Sequence, residues 1–189
     1  MMLTSLDAQL RLARSASKIP DLSDKAWQCL ATTIYDEIVA LDEPVIDQLR
    51  NNMCIPPERY REEICAFNQW MDFAHANAAN PFIVRAQVMT ELYVAFVWLG
   101  DSVLKPLAAC LSDEQPVFKA VVRFLGEEHL RGLRNAVAHG RWCYRPSFDG
   151  LDCWDGKQFT VTQADLNAWQ LLSRGAAIAA IWGLTDGHT

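Results

Sequence analysis

The chain has 189 residues, of which 51% are hydrophobic and 21% charged, a balance that fits one domain of ordinary size and excludes extended disorder away from the ends. A net charge of −6 excludes a protein that coats nucleic acid through broad basic faces, though not one with a small basic site on an acidic body. The six cysteines form no CxxC pair and no zinc-type Cys/His spacing, so free thiols in a reducing cytoplasm are expected, with no metal or other cofactor. Cys143 and Cys153 flank a hairpin region, and a pairing between them stays open at this point.

Apolar spacing is mostly helical. Residues 3–17 carry Leu3, Leu6, Leu10 and Ala13 on one stripe, and Ile19-Pro20 ends it. Ser23 is a good N-cap for a helix over 24–41. Pro44 suits the first turn of a shorter piece ending near Asn51-Asn52. After Pro56-Pro57, residues 58–78 read as an amphipathic helix through Tyr60, Ile64, Phe67, Trp70, Met71 and Phe73. Residues 82–104 are apolar nearly all round and predict a central helix, disturbed at its end by Pro106. A helix over 116–138 follows, with Gly126 as a weak point or kink and Gly140 as its stop. Between 141 and 161, Trp142, Tyr144, Phe148, Trp154, Phe159 and Val161 are broken by Pro146, Asp149-Gly150 and Asp155-Gly156, which are hairpin signals. Thr162 then caps a last helix over 163–183, with Asp165 in its first turn. The expected fold is mainly α, a helical bundle with a small β-hairpin before the last helix, in one domain over 1–189.

The N-terminus has no secretory h-region. The late apolar run over 175–184 is shorter than the ~20 residues a bilayer requires. A soluble cytoplasmic protein with no membrane association is the expectation.

One string stands apart: Arg131-Gly-Leu-Arg134-Asn135-Ala-Val-Ala-His139-Gly140-Arg141-Trp142. From Lys119 to Arg145 there are six basic and two acidic residues, a local balance of +4 that leaves −10 for the remainder. Such asymmetry marks a local anion site. Arg134-Asn135-x-x-x-His139 resembles the Arg-x4–6-His motif of HEPN domains, where a polar residue often follows the arginine. The likeness covers roughly residues 80–189, with a long apolar helix before the motif and a closing helix after it. Residues 1–79 are then a helical N-terminal elaboration.

The resemblance implies an α-helical homodimer, RNA as substrate, and metal-independent endoribonuclease activity in toxin–antitoxin or phage-defence systems, with a protein antitoxin as a further partner. It also implies that the arginine and histidine of both subunits converge at the dimer interface. Other members of the family keep the fold as non-catalytic RNA-binding or interaction modules, which is the alternative expectation.

The residue types suit the chemistry. RNA can be cut by its own 2′-hydroxyl attacking the adjacent phosphate. Histidine can accept the hydroxyl proton or donate to the leaving oxygen. A guanidinium offers a fixed fork of donors to the charged phosphorane. Arg134 and His139 are therefore the expected catalytic residues, with Asn135 orienting the phosphate or holding the histidine tautomer. Arg131, Arg141 and Arg145 are expected substrate contacts, or solvated surface charges.

Residues 134 and 139 point ~140° apart on an ideal helix. Either the helix loosens at His139, or Arg134 meets a histidine from a second subunit. Structural readings stand beside these. His139 can serve as a positive group at a helix C-terminus. Arg134 can pair with Glu127, Glu128 or Glu91, and Glu91, in an apolar helix, requires a partner. Trp142 and Tyr144 can stack bases or simply pack.

Overall fold

The computed structural model describes residues 5–15, 23–111, 115–147 and 149–187. Leu3, the Ile19-Pro20 stop and Phe148 lie outside these. Helices α1 (Leu6–Ser15), α2 (Asp24–Val39), α3 (Glu43–Asn52) and α4 (Pro57–Ala76) come first. A continuous helical run follows over Pro81–Cys110. It comprises α5 (Pro81–Leu92), two π-helical stretches (Tyr93–Trp98 and Gly100–Leu104) and α6 (Lys105–Cys110). Then come α7 (Pro116–Leu125), α8 (Glu128–Ala138), strands β1 (Trp142–Tyr144), β2 (Gly150–Asp155) and β3 (Lys157–Thr162), and α9 (Gln163–Asp186). The fold is mainly α, with a small antiparallel sheet before the last helix.

Local chemistry places most boundaries. The Ser23 hydroxyl accepts the Ala26 amide at 3.2 Å and caps α2. Thr162 accepts the Asp165 amide at 3.1 Å and donates to its carboxylate at 2.7 Å, closing the start of α9. At the end of α8, Gly140 sits at φ 64°. Arg141 N–H reaches back to the Ala136 carbonyl at 2.7 Å and Gly140 N–H to Val137 at 3.2 Å. That double closure needs a left-handed residue, which glycine supplies without strain. The expected kink at Gly126 is a full break that separates α7 from α8. The start of α7 is capped from another helix: the two Glu37 carboxylate oxygens accept the Val117 and Phe118 amides at 3.0 and 2.9 Å.

The structure revises the expected centre. Every residue of α9 from Ser173 to Thr185 is buried, whereas the run over 81–110 leaves Phe82, Met89 and Tyr93 exposed at its first half. So α9 is the central helix, contacted by α1, α2, α4 and α7 and by both π-helical stretches. Its glycines allow this depth. The Trp27 ring lies against Gly175 so closely that a Cβ there would collide with it. By length and composition the run over 81–110 could also cross a bilayer, but Leu92, Ala95, Phe96, Leu99, Val103, Leu104 and Leu107 are buried in the two hydrophobic clusters.

Pro106 lies inside that run, which continues to Cys110, and the expected disturbance is the π-helical stretch just before it. The proline has no N–H for the Ser102 carbonyl four residues earlier, and that carbonyl accepts the Tyr60 hydroxyl at 3.2 Å. The π-helical turns absorb the remaining mismatch.

Two hairpin signals, Asp149-Gly150 and Asp155-Gly156, produce three strands in the order β1-β2-β3. Leu151, Cys153 and Val161 face inward against α8 and α9. Cys143 is paired with Asp152 and Cys153 with Trp142, so the two thiols occupy opposite faces and both are free. Burial, then the nearby Asp152 and Cys143, pushes the Cys153 thiol up to about 11. Trp142 and Tyr144 form an edge-to-face pair at 5.7 Å and pack on the second of the two clusters, the one built from Leu92, Phe96, Leu133, Leu151, Val161 and Leu166, which makes them packing residues.

Candidate functional site

The motif occupies the last two turns of α8, where that helix packs on the Tyr93–Trp98 stretch and on β2. Leu130, Leu133, Ala136 and Val137 form its buried face. That burial fixes the rotation of α8 and holds Arg134 and Asn135 at the edge of the core, each half-buried.

Arg134 pairs with none of Glu127, Glu128 or Glu91. Its Nη1 donates to Asp101 Oδ1 at 3.2 Å, and Nη2 approaches Asn135 Oδ1 at 3.4 Å. Lys105 Nζ shares the same Asp101 oxygen at 3.0 Å. Asn135 Nδ2 donates to Asp155 Oδ2 at 2.9 Å, and Arg141 Nη1 lies 3.8 Å from Asp155 Oδ1. The result is one chain of polar contacts, Lys105–Asp101–Arg134–Asn135–Asp155–Arg141, with three cations against two anions. It joins the second π-helical stretch, α6, α8, β2 and the loop before β1.

Asp101, Lys105 and Asp155 were not identified from the sequence. Asp101 and Lys105 stand four apart as charges at the end of an apolar run, which was the available signal. The π-helical turn holding Asp101 shifts its side chain from where regular α geometry would aim it.

The chain of contacts is accessible. The Arg134 side chain is 24% exposed and that of Asp101 44%. A single contact in such a position is worth about 0–1 kcal/mol. The Asn135 amide is committed at both ends, to Arg134 and to Asp155, so it positions the guanidinium and not the histidine ring.

His139 is the C-cap of α8, and its backbone N–H still bonds the Asn135 carbonyl at 3.1 Å. Helical geometry therefore persists to the histidine amide, and the helix does not loosen ahead of it. The His139 side chain is exposed and has no hydrogen bond or ion pair among the described residues. On α-helical spacing the five-residue interval sets Arg134 and His139 ~140° apart around the axis of α8.

The three outer arginines separate. Arg141 joins the polar chain through Asp155. Arg145 is held at 3.0 Å by Asp149 and approaches Asp152 at 4.0 Å, sharing no partner with Arg134. Arg131 lines a groove of about 410 Å³ between α8, β3 and α9. The basic segment is thus partly countered by aspartates of the sheet and of the Gly100–Leu104 stretch. Among the described residues no three His, Cys, Asp or Glu side chains gather as metal ligands.

Glu91 does find a partner, but it is Arg174 of α9, at 3.8 Å with both side chains largely buried. Arg174 Nη2 also donates to Asn68 Oδ1 at 2.8 Å, and Asn68 Nδ2 donates to Gln9 Oε1 at 2.6 Å. Burial raises the Glu91 carboxyl to about 7, with Arg174 pulling it back down. Burial likewise lowers Arg174, opposed by Glu91. This network ties α1, α4, α5 and α9 together and is structural. No protein-family model matches the chain, and neither the curated proteins nor the solved structures contain a match to it.

Proposed function

We propose that this chain is a metal-independent endoribonuclease of HEPN type that works as a homodimer in a toxin–antitoxin or phage-defence setting. The observation that carries the reading is the state of Arg134, Asn135 and His139. The first two are held side by side by contacts weak enough to yield, and the third presents a free imidazole at the same helix end. A phosphate offers charge-assisted, two-point contact to the Arg134 fork, stronger than the single Asp101 contact it displaces. His139 of a second copy meets that phosphate, takes the 2′-hydroxyl proton and returns a proton to the leaving 5′-oxygen. Asn135 keeps the guanidinium aimed through its bond to Asp155. Lys105, which shares the Asp101 oxygen with Arg134, is the nearest further cation for the strand, and Arg141, beside Asp155, is the next.

Purified protein is expected to cleave labelled single-stranded RNA in excess chelator, and Arg134→Ala is expected to abolish that cleavage. Cleavage that disappears on chelation, or that Arg134→Ala leaves intact, contradicts the proposal.

The second reading is a non-catalytic HEPN-like module that binds RNA or protein. It is favoured by the engagement of Arg134 and Asn135 with Asp101 and Asp155, which gives both residues a structural role. RNA binding that weakens with salt, without turnover, is its signature.

A further inference from the structure

The groove between α8, β3 and α9 is not used by the chemistry above. At about 410 Å³ it is in the size range of small-ligand sites. Its walls combine two aromatic rings, Phe159 and Trp169, with two cations, Arg131 and Lys157. Both rings are partly buried against the second cluster and so are held in place. Arg131 and Lys157 are exposed and have no ion pair or side-chain hydrogen bond among the described residues.

Gly132 helps make the groove. A glycine inside a helix costs about 1 kcal/mol relative to alanine. Here a Cβ would stand 3.3 Å from Phe159 Cζ, so its absence lets that ring lie flush against α8. The groove also adjoins the polar chain directly. Asp155 lines it and at the same time holds Asn135. Arg131 and Asn135 are four apart on α8 and so share one face of the helix.

We infer that this groove holds one unpaired nucleotide of the RNA strand, adjacent to the phosphate bound at Arg134. The base stacks on Trp169 and Phe159, since every base offers a π-face to an aromatic platform. Its phosphate lies between Arg131 and Lys157. Glu128, on the same wall, accepts from base N–H groups. Asp155, already engaged by Asn135 and Arg141, marks the boundary between the two subsites. The inference rests on the RNA reading of the Arg134 site for its strand, but its own residues are separate.

The test is a titration of isotope-labelled protein with 5′-AMP and with a short oligoadenylate, in chelator at low salt, following the Trp169 indole N–H and the Gly132 and Phe159 amides. Both ligands are expected to move these signals. Arg131→Ala with Lys157→Ala, exposed changes that leave the core alone, should weaken both by about tenfold or more. Unmoved groove signals, unchanged affinity in the double variant, or binding of 5′-AMP with exclusion of the oligoadenylate each overturn the inference. Cleavage assayed in parallel separates the two readings. Groove binding without cleavage upholds the groove and removes the nuclease, and chelator-resistant cleavage with a silent groove does the reverse.

Discussion

Above pH 7, where Glu91 is charged, Arg174→Ala is expected to remove about 3–5 kcal/mol of stability, a large share of the roughly 5–15 kcal/mol a domain of this kind possesses. Arg174 lies on the central helix with its side chain 3% exposed. Its loss leaves the Glu91 carboxylate buried without a counter-ion and Asn68 Oδ1 without its donor. Leaving a buried charge uncompensated costs far more than the pair contributes, so Arg174→Met combined with Glu91→Gln should recover most of the loss. Chemical denaturation of the three variants checks this ordering. The pair also predicts a pH dependence. Glu91 in the fold is raised to about 7 from an ordinary 4.5, first by burial. The fold therefore holds the proton more tightly than the unfolded chain does. The contribution is complete below the unfolded value and is lost as pH rises through about 7. The wild-type denaturation midpoint should carry a downward component between about pH 4.5 and 7 that Glu91→Gln lacks. Identical slopes in the two proteins would contradict the assignment.

His139→Ala is expected to lower RNA cleavage by about 10²–10⁴-fold, the range for loss of a general acid–base group. Stability should stay within about 0.5 kcal/mol, because the exposed ring has no bond to the fold. That separation between activity and stability distinguishes a chemical role from a helix-end charge. Arg134→Lys should fall between wild type and Arg134→Ala, since lysine keeps the charge and loses the fork. A His139→Ala protein that cleaves like wild type takes the histidine out of the mechanism.

The features legible in the sequence are those that chemistry settles within a few residues. Ser23, Thr162 and Gly140 mark helix ends through bonds to neighbours three to five residues away. The two Asp-Gly pairs mark turns, though their number implies three strands where one hairpin was expected. Features set by distant packing were not legible. Two helical segments are apolar enough to be central, and composition favours 82–104. What decides for α9 is that Gly175 and Gly183 let α2 approach it closely, through Trp27 at the first and Ile38 at the second. The partner of Arg134 was hidden for a related reason. π-Helical turns move Asp101 out of the register that α-helical spacing assumes. Glu91 was rightly expected to find a salt bridge, but Arg174 lies 83 positions away, beyond any local pattern. The motif residues were found by type, and their division between the polar chain, the groove and the sheet turn became visible only in three dimensions.

In the proposed mechanism two copies of the chain supply the two halves of one active site, and mixing inactive variants tests this most directly. Arg134→Ala lacks the guanidinium and His139→Ala lacks the imidazole, so each homodimer should be inactive. Co-refolded at equal amounts, half the dimers are mixed, and each mixed dimer has one site with both groups intact. About a quarter of wild-type cleavage in chelator should return, on the random-pairing arithmetic for a two-fold dimer. No recovery from variants that still dimerise, with full activity from wild type, would contradict a shared site.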